Sequence, residues 1–477
     1  MTEVTVGIDL GTSGLRAVAV DGDGCVRGRV RRAYRTRRDE PGAAEQSVHD
    51  WWAALEDAVG ELTRQVEPSL WRAVGLSAML PTLVVLASDG RPVERAITWE
   101  DARAEPEGLE FVERHGDDHV YLATGQRVDG RYLVPMAQRL RRLGELPQDA
   151  TVVAAKDHLF ARLTGELATD PSTAAGFGAY LLEEGRWDDE LSEGFAFPPV
   201  VPSLTTAPLL DTLADRWGVP ARLPVVLGAA DSVLGAVGLG VRSAGEIAYV
   251  AGTSTVVLGR SPAYRHDPRG RYLVTPLESD DGLGLELDLL ATGSAFGWLA
   301  GLLTGGDVER LMEACAEHPP SSDLVFLPYL GPGEQGALWE PRLRGVLAGM
   351  TLGTTPGELA RALEAGIVLE SRRCIAALDE AFGAGATDAP IRVAGSSAAS
   401  AVFRRDLADA TGRAIGYASG EVDHSGLGAA ILAARAVGLA EPPAPPLSEI
   451  AEPDASRASL WAEVGARVDE TRHALYG

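Results

Sequence analysis

Short apolar runs recur along this 477-residue chain and alternate with segments whose apolar residues have helical spacing. In the first half, the pattern predicts strands at residues 4–10, 15–20, 73–77 and 82–86. It also predicts a helix that begins at Asp50, with this residue as its cap, and another at residues 133–143. Such alternation is typical of an α/β protein whose sheets are covered by helices.

The alternation restarts in the second half of the chain. Strands are predicted at residues 246–251, 256–258 and 391–393, and helices at residues 355–382 and 398–411. Because the chain is longer than one hydrophobic core normally grows, we expect two domains, residues 1–241 and 242–477. The second includes a stiff proline-rich linker at about 440–454 and a terminal helix at 455–476.

Two turns made of glycine and hydroxyl residues occupy matching places in the two halves. They comprise Gly11, Thr12 and Ser13 in the first half and Gly252, Thr253 and Ser254 in the second. Each lies between two strand-like runs, so that its backbone N–H groups and hydroxyls can cradle a phosphate. Two such hairpins predict a duplicated scaffold that grips a polyphosphate from both sides.

Charge and cysteine content restrict the partners and the compartment. The formal net charge of −25 argues against nucleic acid and anionic membranes, and requires local donors and a metal ion to bind a nucleotide. Three scattered cysteines and the early first strand, which leaves no room for a signal peptide, favour a reduced cytoplasmic location. The longest apolar stretch, residues 223–241, is interrupted by Asp231 and glycines and predicts a buried strand and helix.

Lys156 is the only lysine of the chain. The P-loop and the protein-kinase scaffold each place a lysine against the phosphates within a defined local pattern. Lys156 lies outside any glycine-rich loop, and no P-loop pattern is present. Both of those designs for phosphoryl transfer are therefore excluded.

Asp9 ends the first strand directly before the glycine turn, and Arg16 follows on the return strand. A carboxylate in that place can hold Mg²⁺ beside nucleotide phosphates, directly or through water. Arg16 would point toward the same phosphates. The alternative is a turn aspartate with a surface arginine.

Asp231 follows an apolar strand and a run of very small residues, 228–230. It is expected at a helix N-terminus, where the helix dipole stabilises an anion and a substrate can approach closely. In phosphoryl transfer to an alcohol, such a carboxylate accepts the hydroxyl proton. The alternative, an ordinary capping aspartate, is what the local pattern alone would favour.

Three further segments have two interpretations each. Residues 395–400 follow a strand and contain small residues that let a base or ribose approach the backbone, but serines also cap helices. Residues 99–103 combine an aromatic ring, acids and an arginine, as sugar sites do and as surface turns do. His115 and His119 have the spacing of a helical metal site, but without a third ligand they indicate a solvated loop or helix end.

Taken together, the motifs resemble those of the FGGY family of carbohydrate kinases over essentially the whole chain. They are residues 9–14, 228–231, 252–254, 326–330 with Glu334, 339–341, 344–345, 395–400 and 426–430. The order and spacing of the motifs carry the resemblance, because no single one is decisive.

The resemblance implies two actin-like, RNase-H-like domains with an ATP and sugar cleft between them, Asp231 as the base, and Mg²⁺ held by Asp9 and Asp231. The residues implied to bind the nucleotide are Gly11, Thr12, Ser13, Arg16, Gly252, Thr253, Ser254, Gly293, Gly297, Gly395, Ser396 and Ser400. Those implied to bind the sugar are Leu80, Pro81, Trp99, Asp101 and Arg131, the last through a substrate carboxylate.

Some positions depart from the patterns of the family. Leu80 and Pro81 stand where glycerol kinases have Arg-Glu, and where xylulokinases and gluconokinases have Met-His. A glycerol site is therefore not expected, although Pro81 cannot replace the hydrogen bonds of histidine. Gln335 replaces an arginine that forms a salt bridge in the second domain of the family. Ser396 and Ser397 replace glycines and would narrow the adenosine pocket.

We therefore expect an ATP-dependent kinase that phosphorylates a terminal hydroxyl of an open-chain sugar or sugar acid, gluconate or a ketopentose such as xylulose. One alternative is an actin-like ATPase that acts as a chaperone or assembly scaffold. Another is a non-catalytic sugar sensor, against which the presence of both Asp9 and Asp231 argues. A homodimer is compatible with the resemblance.

Overall fold

The structure, a computed structural model, describes residues 2–93, 95–261, 263, 265–279, 282–331, 336–418 and 423–477. Its strands are β1 Val4–Gly11, β2 Gly14–Asp21, β3 Val26–Ala33, β4 Glu45–Ser47, β5 Trp71–Ala78, β6 Thr82–Leu86, β7 Arg95–Thr98, β8 Thr151–Ala154, β9 Tyr180–Leu181, β10 Arg186–Trp187, β11 Thr206–Pro208, β12 Pro224–Ala230, β13 Ile247–Ala251, β14 Thr255–Ser261, β15 Leu273–Pro276, β16 Leu283–Leu289, β17 Val325–Leu327, β18 Val346–Ala348, β19 Ile391–Gly395, β20 Ile415–Ala418 and β21 Leu447–Ala451.

Its helices are α1 Val48–Gln65, α2 Glu105–His115, α3 Asp117–Thr124, α4 Leu133–Leu143, α5 Ala155–Thr164, α6 Pro171–Ala175, α7 Asp211–Trp217, α8 Asp231–Leu239, α9 Gly293–Leu303, α10 Val308–Ala316, α11 Pro356–Phe382, α12 Ala401–Thr411, α13 His424–Ala436 and α14 Ala458–Tyr476. Short 3₁₀ turns lie at Pro68–Leu70, Gly383–Gly385, Ser397–Ala399 and Ala455–Arg457. In the part of the chain that the structure describes, no helix is long and apolar enough to cross a membrane.

Three predicted elements differ from the observed ones. Helix α1 is capped by Ser47, whose hydroxyl accepts from the Asp50 N–H at 3.4 Å, so that Asp50 lies inside the first turn. The predicted helix at 398–411 begins instead at Ala401, after a 3₁₀ turn. Within the predicted linker, residues 447–451 form β21, which pairs antiparallel with β20.

The chain divides into two compact units. The first unit comprises Met1–Gly240, Val274–Gly284 and Asp423–Pro445, and the second comprises Val241–Leu273, Leu285–Val422 and Pro446–Gly477. Helix α13 thus belongs to the first unit although it lies late in the sequence. The simpler division into residues 1–241 and 242–477 stays a prediction.

The main sheet of the first unit has the order β11-β12-β5-β1-β2-β3. Strands β12, β5 and β1 are parallel, whereas β2 and β3 continue the sheet as an antiparallel meander. Every residue of β1 is buried, as expected for a central strand covered on both faces. The carboxyl ends of the three parallel strands therefore meet at one edge of the sheet, which we call the carboxyl edge of the first unit.

Helix α13 packs so closely on this sheet that glycine is required at the contact. A Cβ on Gly7 in β1 would lie 1.8 Å from the carbonyl oxygen of Gly426, and one on Gly75 in β5 would lie 2.1 Å from that of Ala429. Helix backbone thus rests directly on strand backbone. The second sheet of the first unit, β4-β7-β6-β8, packs with α4 around its own apolar cluster.

In the second unit, strands β14-β13-β19-β20-β21 follow one another in the sheet. The hairpin β13–β14 is antiparallel, and β13 pairs in parallel with β19. The long helix α11 begins with a capping box in which the side chains of Thr355 and Glu358 each accept the other's backbone N–H. Its buried face supplies much of the core of this unit.

Candidate functional site

Two of the predicted carboxylates lie at the carboxyl edge of the first unit. Asp9 is paired in register with Ser77 of β5, and Ser77 in turn with Ala229 of β12. Asp231 follows the end of β12 directly and is the first residue of α8. The sheet therefore brings to one edge two acids that are far apart in the sequence.

Asp9 is almost fully buried and carries two hydrogen bonds. Its carboxylate accepts from the hydroxyl of Ser77 at 2.7 Å and from the guanidinium of Arg16 at 3.2 Å. The same Arg16 nitrogen lies 3.4 Å from the carboxylate of Asp423. Burial and the charge of Asp423 raise the pKa of Asp9 to about 7, although Arg16 acts in the opposite direction.

Sequence reasoning missed Asp423. This residue caps α13, and its carboxylate accepts from the Gly426 N–H at 2.8 Å. Burial raises its pKa as well. The available signal was an aspartate three residues before a glycine at the start of a helical segment, which predicts a cap but gives no indication that Arg16 lies beside it.

A magnesium ion fits the chemistry of this corner. The buried carboxylate of Asp9 and the half-buried one of Asp423 share the guanidinium of Arg16, so that two acids face one base in direct contact. No group of three or more potential metal ligands occurs among the residues that the structure describes. Mg²⁺ does not need such a cage, since it is usually held by one or two carboxylates together with water and phosphate oxygens.

The first glycine-hydroxyl turn is held in place by side chains from outside it. The indole N–H of Trp99 donates to the Thr12 hydroxyl at 2.9 Å, and the amide of Gln46 donates to the Thr12 carbonyl at 2.8 Å. The Tyr34 hydroxyl donates to the carbonyl of Gly11. Trp99, which was expected at the sugar, is therefore in direct contact with the predicted phosphate turn.

Asp231 is half-buried and does not cap its helix. The capping position of α8 is Ala230, and the Asp231 carboxylate accepts from the next backbone N–H, that of Ser232, at 2.9 Å. Its carbonyl accepts from the hydroxyl of Ser425 at 2.9 Å. Asp231 is therefore not the capping residue of α8, in contrast to the alternative interpretation.

The residues predicted to contact the sugar differ in whether their side chains carry polar groups and whether those groups are already paired within the protein. Leu80 and Pro81 lie one residue beyond the end of β5, after Met79, and are half-buried. Asp101 is 2% exposed, and its carboxylate accepts from the Ala44 N–H at 2.8 Å and forms an ion pair with Arg103 at 2.7 Å. The Asp–Arg pair agrees with the turn alternative, whereas the burial of Asp101 does not fit a surface turn, and sugar binding by Asp101 stays a prediction.

Arg131, the predicted reader of a substrate carboxylate, forms an ion pair with Asp129. Its backbone N–H and its Nε also donate to Asp129, at 2.8 and 3.1 Å. An acidic substrate would have to compete with this aspartate for the guanidinium. The assignment stays a prediction.

In the second unit, the predicted nucleotide residues converge where β13 and β19 end. Ala251 is paired in register with Gly395, and a Cβ on Gly395 would lie 2.1 Å from the Ala251 carbonyl oxygen. A Cβ on Gly293, at the start of α9, would lie 2.2 Å from the Gly252 oxygen and 3.5 Å from the Ser396 hydroxyl. Three segments far apart in sequence thus form one surface of small residues.

The other residues predicted for this surface differ in the contacts that they make. The carbonyl of Thr253 accepts from the N–H of Ser294 at 3.1 Å, which ties the turn to α9. Gly297 lies one turn further along α9, with nothing within 4 Å of the position of a Cβ. Ser400 caps α12 through the Phe403 N–H at 3.3 Å. Glu334 and Gln335 lie outside the described residues.

Comparisons with known proteins cover nearly the whole chain. Residues 4–238 match the model of the N-terminal domain of the FGGY family of carbohydrate kinases, and residues 247–437 that of its C-terminal domain. The chain is 29% identical to a xylulose kinase from Escherichia coli (strain K12), over 96% of each chain. It is 25% identical to a gluconokinase from Bacillus subtilis (strain 168), over 86% of this chain and 83% of that protein.

Solved structures confirm the predicted fold. The xylulose kinase from Lactobacillus acidophilus superposes with a TM-score of 0.89 at 23% identity, over 99% of this chain and 98% of that one. The gluconate kinase from the same species gives a TM-score of 0.90 at 23% identity, over 100% and 98%. The fold is thus the two-domain actin-like ATPase fold.

Proposed function

The chain belongs to the FGGY family of carbohydrate kinases, and from that premise we propose that its substrate is an open-chain sugar or sugar acid, gluconate or a ketopentose such as xylulose. As a member of this family it is an ATP-dependent sugar kinase, a phosphotransferase with an alcohol group as acceptor. The alternative of a chaperone, scaffold or sensor receives no support from the relatives. The observation that carries the detailed proposal is the placement of Asp231 and Asp9 at one sheet edge.

We assign the role of general base to Asp231. The terminal hydroxyl oxygen of the sugar forms a bond to the γ-phosphorus, the bond from that phosphorus to its bridging oxygen breaks, and ADP leaves. The hydroxyl proton passes to the Asp231 carboxylate and from there to water. Asp231 lies in the first turn of α8, where the helix dipole stabilises an anion.

Asp9 is the proposed magnesium ligand, with Asp231 as a second ligand through water. When bound, the ion neutralises charge on the phosphate oxygens. Arg16 fixes the Asp9 carboxylate from one side and Ser77 from the other, so that the carboxylate is held in a single orientation. Gly11, Thr12 and Ser13 offer backbone N–H groups and hydroxyls to phosphate oxygens.

The proposed nucleotide surface of the second unit consists of small residues. Gly293 and Gly395 each allow a backbone approach that a Cβ would prevent, and the Gly252 carbonyl is the group that Gly293 approaches. Ser396 replaces a glycine of the family pattern and places its hydroxyl beside Gly293. We propose that these residues, with Thr253, Ser254, Gly297 and Ser400, contact the nucleotide.

The substrate class rests on the relatives and on Leu80 and Pro81. The relatives named above act on xylulose and gluconate, as their names say. At the end of β5, a leucine and a proline offer apolar contact without hydrogen-bonding side-chain groups, which suits the carbon chain of a substrate better than its hydroxyls. A homodimer stays a prediction.

Replacing Asp231 with Asn tests the base. The variant keeps shape and hydrogen-bonding capacity but loses the proton acceptor, so that we expect kcat to fall at least about 100-fold. ATP affinity, measured by nucleotide titration of the protein, should change little. Steady-state ADP release with the preferred sugar gives the rate.

Asp211→Asn is the matched control, because Asp211 is also the acidic first residue of a helix in the first unit. It should retain the wild-type rate. A wild-type rate in Asp231→Asn would remove this residue as the base.

A further inference from the structure

The peptide that leads into Asp231 is held by more than its pairing with β5. Pairing between β12 and β5 is interrupted between Val226 and Ala229. At the interruption, Gly228 has φ +76°, and a Cβ there would lie 1.7 Å from the Leu76 carbonyl oxygen. Such a bulge redirects the end of a strand and leaves backbone groups without their ladder partners.

Two serines are the partners of these backbone groups. The N–H of Gly228 donates to the carbonyl of Ser203 at 3.0 Å. The N–H of Ala230, the residue directly before Asp231, donates to the hydroxyl of Ser172 at 2.9 Å. The last residues before the proposed base are therefore positioned by side-chain and loop contacts that the strand pattern does not predict.

Both serines converge on one carboxylate. A single oxygen of Asp170 accepts from the Ser172 hydroxyl at 2.5 Å, from the Ser172 N–H at 3.0 Å and from the Ser203 hydroxyl at 3.2 Å. Asp170 is fully buried. All three donors therefore use the same oxygen of this carboxylate.

The ammonium group of Lys156 faces the other oxygen of Asp170. Its ammonium nitrogen lies 3.0 Å from the other Asp170 oxygen and 3.6 Å from an oxygen of Asp157. This lysine is 1% exposed in a chain whose other basic side chains, apart from histidines, are arginines. A compact ammonium is a point charge that fits between two buried carboxylates where a planar guanidinium needs more room.

We propose that Lys156, Asp170, Ser172 and Ser203 are positioning residues that fix the bulged end of β12 and thereby the direction of the Asp231 carboxylate. The inference rests on the proposed role of Asp231. It also gives a function to Lys156, which lies outside the lysine patterns of the P-loop and of protein kinases. Because a base displaced by about 1 Å costs about 100-fold in rate, this support acts on kcat.

The experiment compares two variants that lose equivalent hydrogen bonds. Ser172→Ala removes a buried hydroxyl that donates to Asp170 and accepts from a backbone N–H. Thr164→Val also removes a buried hydroxyl, which donates to the Phe160 carbonyl at 2.8 Å and accepts from the Glu166 N–H at 3.1 Å. Thr164 lies on α5, as Lys156 does, but contacts neither Asp170 nor Ala230 through that hydroxyl.

Both variants should lower the melting temperature by similar amounts. Ser172→Ala should reduce kcat by about tenfold or more with the KM for ATP unchanged, whereas Thr164→Val should keep kcat within about twofold. Ser203→Ala, which removes only one bond to Asp170, should give a smaller loss of kcat. If Ser172→Ala does not fold, the comparison of kcat between Ser203→Ala and Thr164→Val tests the positioning role in the same way.

The outcomes separate this inference from the proposed function. If Asp231→Asn is inactive while Ser172→Ala and Ser203→Ala behave like Thr164→Val, the base stands and the positioning role is overturned. If Ser172→Ala raises the KM for ATP in step with its loss of kcat, the effect is a general structural one and the inference also falls. If Asp231→Asn turns over normally, both the base and its support are wrong.

Discussion

Two groups of charged residues lie near the ends of β1 and β12, Asp9 with Arg16 and Lys156 with Asp170. A buried ion pair is weak evidence for stability, since the desolvation of both partners offsets most of their attraction. Burial raises the pKa of Asp9 to about 7, and that of Asp157, beside Lys156, to about 6. Both groups flank the ends of β1 and β12, and we therefore relate them to the chemistry of that edge.

At the same scale, the burial of His158 predicts how the stability of the folded protein depends on acid pH. It lies on α5, and burial, with the charges of Arg162 and His49, lowers its pKa from 6.5 to about 4. Between these values the unfolded chain binds a proton that the folded protein does not. The contribution of His158 to the free energy of unfolding therefore falls as the pH drops from 6.5 to 4, by about 3 kcal/mol for a shift of about 2.5 units at 1.36 kcal/mol each.

Denaturant titrations of the wild type and of His158→Gln at several pH values between 7 and 4 measure this effect. The variant cannot take up the proton, so that its unfolding free energy should fall less steeply over this range. Parallel pH dependences in the two proteins would contradict the buried neutral state of His158.

At the scale of elements, periodicity predicted individual strands and helices but not all of their neighbours. Residues 133–143 and 82–86 were found with their observed bounds, because apolar spacing alone defines such elements. The position of α13 on the first sheet was not predicted, since a helical pattern does not say which sheet it covers. The physical signal was present as glycines in the buried strands β1 and β5, where helix backbone approaches.

The packing of α13 can be tested by adding one methyl group to β1. In Gly7→Ala the new Cβ would lie 1.8 Å from the Gly426 carbonyl oxygen, so that helix and strand must separate. Overpacking of a core costs about 1–3 kcal/mol or more, and we expect a melting temperature several degrees lower by calorimetry.

Gly60→Ala in α1 is the matched control, because nothing lies within 4 Å of a Cβ at that position. Replacing a glycine in a helix should instead stabilise the protein by up to about 1 kcal/mol. Equal melting temperatures for the two variants would contradict the direct contact between α13 and β1.

At the scale of the whole molecule, the sequence predicts the class of fold and the two principal acids, because these depend on local pattern and on motif order. It does not predict that Asp423 shares Arg16 with Asp9, or that Ser172 holds the peptide before Asp231. Both contacts join residues that are far apart in the chain and are chemically unremarkable on their own. The sugar contacts of Asp101 and Arg131 stay predictions, and both side chains are paired within the protein.

The most direct test of the account is ADP release, coupled to a spectroscopic readout, across gluconate, D-xylulose, L- and D-ribulose, L-fuculose, erythritol and glycerol. We predict strong ATP-dependent turnover with gluconate or a ketopentose, none with glycerol, and loss of that turnover in Asp231→Asn. ADP release that no sugar in the panel stimulates, from folded protein that binds ATP, would contradict the proposed substrate class. Turnover with glycerol as the preferred substrate would contradict the role given to Leu80 and Pro81.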